Sequence, residues 1–168
     1  MRSTVRPYGI AVVLREPTRV ADVISRANAK DRTMIGRLIY TSISLCNAED
    51  IKDIREHSRT ANAHSNITGA LLLSHGRFMQ YLEGDAAAID VLYEKIGADR
   101  RHHECKVLDR RSISNRIFQG WAMTWLPSTR DTDLLIDALV PPNRRVDALD
   151  GSSAGAFFYA LSKLSQRL

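Results

Sequence analysis

An α+β fold is what the sequence predicts, and three observations predict it. Five short stretches between residues 35 and 126 alternate apolar and polar or aromatic side chains with the period of two that strands have. Two other stretches, opening at Asn47 and Asp85, carry apolar residues three and four apart, as a helix with one buried face does. Their order is β-α-β-β-α-β with one added strand. That order is the pattern of a ferredoxin-like sheet with both helices on one face.

The first strand is "IGRLIYTSIS", with Leu38, Tyr40 and Ser42 on one face and Ile39 and Thr41 on the other. Asn47 follows as an N-cap, with Glu49 and Asp50 in the first turn to suit the helix dipole. The helix is expected to reach about Ala61. Ile51, Ile54, Ser58 and Asn62 form one stripe if helical geometry extends to Asn62. "ITGALLLSHGRFMQYLEG" reads as two strands around a tight turn at His75-Gly76. Asp85 caps the second helix, whose stripe is Ile89, Leu92, Tyr93 and Ile96. "CKVLDRRSI" is the fourth strand and "GWAMTWL" the fifth, with Trp121, Met123 and Trp125 expected on one face.

Two helical stretches follow Pro127. The second carries a stripe of Phe157, Phe158, Leu161 and Leu164, and the pair is expected to cover the sheet face bearing Ile39, Met79, Tyr81, Ala122 and Thr124. Ahead of residue 35, "GIAVVL" reads as a further strand, and Val20, Val23, Ile24 and Ala27 repeat at helical spacing. The expected segments are therefore 1–34 as a basic extension, 35–127 as the main domain and 128–168 as a helical cap.

Composition excludes several classes. At 168 residues, 44% hydrophobic and 26% charged, the chain has the make-up of an ordinary globular protein. No apolar run approaches the ~20 residues of a membrane helix, and "GIAVVL" is too short for a signal-peptide core. A cytoplasmic location is expected, with Cys46 and Cys105 as free thiols. Much of the net charge of +5 falls before Arg37, where seven basic residues face three acidic ones. This arm lacks interleaved aromatics and any nucleic-acid motif, so a solvated extension is expected rather than a nucleic-acid partner.

The sequence has no glycine-rich phosphate loop and no nucleophile elbow. His57 and His64 could share a helix face, but no third ligand accompanies them, and no metal is expected. Glu49, Asp50, Asp53 and Glu56 read as a solvated helix face. Cys105, near His103, reads as a small strand residue rather than an activated thiol.

Gln80 raises a different question. In "RFMQYLEGD" it shares a strand face with Phe78 and Leu82, and a buried amide without partners costs roughly 1–3 kcal/mol. It either sits at a wet edge or faces something polar. Tyr40, Gln80, Asn62, Trp121 and Met123 can all be brought to the helix side of the sheet. There they would suit a flat aromatic ligand with polar edges, or form a core with a few satisfied polar groups.

Five segments decide between these readings by resemblance. "RLIYTS", "SRTANAHSNITGALLL", "RFMQYLEGD", "YEKIGADRRHH" and "RIFQGWAM" stand in the order and spacing of a BLUF domain, a blue-light sensor using FAD. The resemblance covers roughly residues 35 to 127. It implies a flavin held between the two helices over the sheet: FAD, with FMN or riboflavin as variants sharing the ring. Matched residue by residue, Tyr40 stands at the photoactive tyrosine, Gln80 at the glutamine bridging it to the flavin, and Asn62 at the asparagine on the ring's polar edge. Trp121 and Met123 match the pair on the last strand whose positions change with signalling state. Ile54 and Ser58 match ring contacts. Lys95, Ile96, Asp99, Arg101 and His102 match the surroundings of the ribityl-phosphate and adenosine parts. Ala61 departs from the pattern, standing where relatives often carry a second polar residue.

The implied function is photoreception without turnover of a substrate. Light drives an electron and a proton from Tyr40 toward the flavin, Gln80 rotates or tautomerises, and the absorption shifts reversibly to the red. Residues 128–168 are too few for a cyclase or phosphodiesterase domain. The resemblance therefore implies a non-enzymatic short form that signals through a partner protein or a reversible homo-oligomer. Two rivals follow from the fold alone: a ferredoxin-like binding module without flavin, and an acylphosphatase-like hydrolase, for which the loop motif is missing.

Overall fold

A computed structural model describes residues 34–126, 129–139 and 146–165. The strand and helix expected before residue 35 lie outside the described residues. Within them the elements are β1 (Ile35–Ser44), α1 (Ala48–His64), β2 (Thr68–Ser74), β3 (Arg77–Gly84), α2 (Ala86–Ala98), β4 (His102–Ile113), β5 (Thr124–Leu126), α3 (Arg130–Leu139) and α4 (Gly151–Ser165), with a short 3₁₀ turn at Val146–Ala148 before α4. None of the described helices is long and apolar enough to cross a membrane.

The strands form one sheet in the order β4-β1-β3-β2-β5. All pairs are antiparallel except β2 with β5, which is parallel. The first four strands and two helices are the ferredoxin-like arrangement expected from the sequence. The β2–β3 hairpin closes through His75 and Gly76, both at positive φ (48° and 72°), the backbone of a type I′ turn. Register then lays one row of side chains across the sheet, Val107, Tyr40, Gln80, Leu71 and Trp125. Facing pairs in such a row lie about 5 Å apart. The neighbouring row, Ile39, Tyr81, Ala70 and Thr124, points to the opposite face.

Each face has its own core. Under α1 and α2 lie Leu38, Tyr40, Ile67, Leu82 and Ile89, and a smaller group of Ile54, Leu71 and Phe78. On the other face Ile39, Met79 and Tyr81 meet Phe157, Phe158 and Leu161 of α4, so the C-terminal helices do cover the sheet as expected. The side chain of Leu164 lies outside the described residues. A charged pair is built into this second interface: Arg37 Nε donates to Asp109 Oδ2 at 2.8 Å, with the Asp109 side chain 5% exposed.

The start of α1 follows from its capping box. Asn47 Oδ1 accepts from the backbone N–H groups of Glu49 and Asp50 at 2.9 Å, and Asp50 Oδ2 accepts from the Asn47 N–H at 3.1 Å. Asn47→Ala is expected to cost about 0.5–2 kcal/mol, read as a lower urea midpoint with an unchanged slope. The helix runs a turn past the expected end at Ala61 and stops where Asn66 takes a positive φ of 51°. Asn62 is therefore fully helical, and the stripe read from the sequence is real.

The fifth strand is shorter than expected. "GWAM" is not part of it, because its backbone is engaged elsewhere. The Trp121 carbonyl accepts from Gly69 N–H (3.0 Å), the Ala122 carbonyl accepts from Asn62 Nδ2 (3.0 Å), and Gly120 sits at φ +83°. Without strand alternation there, Trp121 does not share a face with Met123 and Trp125. Its ring lies 5.9 Å from that of Phe118, against the C-terminal cap, while Met123 and Trp125 pack on the α1 side.

Candidate functional site

A cleft of about 200 Å³ opens between α1 and α2 over the sheet. Its floor comes from the sheet row: Tyr40 on β1 and Gln80 on β3 are direct cross-strand partners, and Leu71 of β2 faces Gln80 from the other side. The wall from α1 is Ile54, Ser58 and Asn62. The wall from α2 is Leu92, Lys95 and Ile96, and Asp99, Arg101 and His102 complete the rim toward β4. All the residues matched above to flavin contacts thus converge on one cleft. Trp121 is not brought there. Met123 borders it through Gln80.

Three polar side chains, two in the floor and Asn62 in the α1 wall, are ordered by direct contacts. The Tyr40 hydroxyl donates to Gln80 Oε1. Gln80 Nε2 in turn donates to Met123 Sδ at 3.4 Å. Gln80 is 4% exposed, so the wet-edge alternative does not hold. Asn62 is 2% exposed, and once Nδ2 has donated to Ala122, its Oδ1 accepts nothing from the described residues. Burial pushes the Tyr40 phenol well above its ordinary pKa, so it is a neutral O–H donor. The Tyr93 ring packs edge-on against it at 5.3 Å.

The rim is charged and internally paired. Arg101 takes Asp99 through Nε (3.0 Å) and Nη2 (2.7 Å), and reaches across to Asp53 of α1 through Nη1 at 2.6 Å. These hydrogen bonds hold the Asp99 carboxyl below its usual range. Arg101 is thus already committed to two carboxylates, whereas Lys95 makes no ion pair among the described residues. His102 stacks on Phe78 (4.7 Å, 29°) with Nδ1 2.9 Å from Ser42 Oγ, and burial lowers its pKa toward the neutral ring.

Sequence reasoning missed three contributors, of which Leu92 is read from the sequence only as part of the apolar stripe of α2. Leu71 was recoverable from strand register, since it lies opposite Gln80. His57 joins the α1 wall because residues 54, 57, 58, 61 and 62 all reach the cleft, a broader band than the stripe assigned. Its Nδ1 lies 2.8 Å from Asp53 Oδ1. No group of three or more metal-ligating side chains occurs among the described residues.

Residues 35–124 match the family model described as BLUF, sensors of blue-light using FAD. The chain belongs to the BLUF family. It is 33% identical over 108 residues to the photoactivated adenylate cyclase subunit alpha of Euglena gracilis, covering 62% of this chain. The match spans only 11% of that cyclase subunit. Among solved structures, the BLUF protein BlrB in its dark state is similar at 32% identity and a TM-score of 0.64, over 80% of this chain and 98% of that one. The ground state of BlsA is similar at 28% identity and a TM-score of 0.70, over 77% and 88% of the two chains. A photo-activated state of BlsA also matches, at a TM-score of 0.68. Within the BLUF match, Ala61 lines the cleft with a methyl group alone.

Proposed function

We propose that this chain is a blue-light receptor in which Tyr40 and Gln80 turn absorption by a flavin in the cleft into a change of hydrogen bonding. The observation that carries this reading is the unbroken line from the Tyr40 hydroxyl through the Gln80 amide to the Met123 sulfur. The residues present fit such a group. Ile54, Leu92 and Ile96 give apolar walls for a flat ring, Gln80 and the spare Asn62 Oδ1 meet its polar edge, and Lys95 is the cation available at the rim for a phosphate. FAD is the flavin named for the family. FMN and riboflavin carry the same ring and suit the same walls. When bound, the flavin supplies light absorption and accepts an electron and a proton.

The chain's own part is proton placement and orientation. Tyr40 is held neutral, with its O–H directed at Gln80 Oε1, so any loss of an electron from the phenol finds an acceptor for the proton in place. Gln80 has both an acceptor and a donor end, and Met123 can accept but not donate. Reversing the amide therefore breaks the contact with Met123, because two acceptors would then face each other. That difference is the signal leaving the cleft. We assign residues 35–127 to flavin binding and 128–168 to output, with a partner protein or a homo-oligomer as receiver. We propose a cytoplasmic location, in which Cys46 and Cys105 would stay as thiols.

The experiment is an absorption spectrum of the purified chain, in darkness and just after blue light. The expected result is a yellow protein whose flavin band moves slightly to the red and relaxes back. A colourless protein after refolding with FAD would favour the flavin-free binding module instead.

A further inference from the structure

A second concavity, a groove of about 780 Å³, lies on the other side of α1 from the cleft, between that helix and β5. Lys52, Arg55 and Arg59 line it from the helix, three and four residues apart, so they share one face. All three are exposed, and none makes an ion pair among the described residues. Arg55 lies over the ring of Trp125, 5.4 Å from its centroid, and Met123 closes the inner wall. Glu56 is the single anion on the lining among the described residues, leaving an excess of two positive charges there. The groove follows β5, the edge strand of the sheet among the described residues, whose three residues pair with β2 on one side.

We propose that this groove docks an extended, acidic segment of a partner protein, laid along β5 with its carboxylates toward Lys52, Arg55 and Arg59. An edge strand offers backbone groups to an added strand, and a basic wall beside it selects acidic side chains. The chain's own basic segment before residue 35 has the wrong sign to fill it. A nucleic acid is less well served. The lining holds one aromatic ring, already covered by Arg55, and so has no succession of stacking platforms for bases. The inference rests on the proposed photoreceptor reading in one respect. Met123 belongs both to the groove and to the Gln80 contact, so the partner's affinity follows the orientation of the amide.

The test uses the full chain loaded with FAD and an alternating Glu-Val decapeptide carrying a red fluorophore, which blue light does not excite. Binding is followed by polarisation in darkness and under blue light, with a dT12 oligonucleotide as the comparison. The peptide should bind, weaken with salt, and lose about tenfold or more in affinity when Arg55→Glu and Arg59→Glu are combined. Both are exposed helix positions, so an unchanged helical circular dichroism spectrum certifies the variant. Equal peptide binding by that variant, or binding of dT12 but not peptide, overturns the proposal. If the flavin band shifts in light while peptide affinity stays the same, the link through Met123 is wrong. If the band does not shift, the photoreceptor reading fails, and the dark titration still decides the docking site.

Discussion

Gln80→Leu is expected to fold, take up flavin and show no lasting red shift after blue light. Leucine keeps much of the volume and none of the hydrogen bonding, so the cleft retains its walls while the line from Tyr40 to Met123 is cut. The Tyr40 hydroxyl loses its acceptor, at a cost of about 1–3 kcal/mol for a buried donor, partly offset by an apolar side chain in a buried site. A modest loss of stability should therefore accompany a complete loss of photocycling. Tyr40→Phe removes the other end of the same bond and should be equally inactive. The informative measurement is the light-minus-dark spectrum of each variant at matched flavin content. A wild-type shift in either one would remove that residue from the switch.

Asp109→Ala should have the largest effect on stability. Asp109 holds Arg37 through Oδ2 and Arg111 Nε through Oδ1 at 2.8 Å, and the Arg37 side chain is itself 13% exposed. Removing the carboxylate strands a largely desolvated guanidinium between the sheet and α4, a change that costs about 3–5 kcal/mol. Replacing both partners by apolar residues, Arg37→Met with Asp109→Leu, should recover much of that loss, since neither charge is then left alone. Urea unfolding of the wild type, the single and the double variant checks this. A loss under about 1 kcal/mol for Asp109→Ala, in the range of exposed pairs, would mean that water reaches Arg37 freely.

Much of this was readable in advance because it depends on short-range patterns. Alternation located four of the strands, the Asn47 and Asp85 caps located the helices, and Tyr40 and Gln80 were expected on the helix side of the sheet. Reading stopped where backbone partners come from far along the chain. Trp121 was placed on the wrong face because alternation was extended through "GWAM", while Asn62 and Gly69, more than fifty residues earlier, hold that backbone out of the ladder. Arg101 was matched to the phosphate and adenosine surroundings, and nothing local showed its pairing with Asp53, 48 residues away. The Arg37–Asp109 pair, 72 residues apart, carries no local signature at all.

The sheet that carries Gln80 also carries Met79 and Tyr81, which face the other way, into the contact with Phe157 and Phe158. Gln80 in the cleft floor and the two residues that meet the cap are thus consecutive on one strand, separated by the thickness of a single layer of backbone. If the proposed reversal of the amide twists β3, both neighbours are expected to move with it. On the proposed reading, this backbone is a second route out of the cleft beside the Met123 contact, and stiffening it would dull the coupling between the two cores.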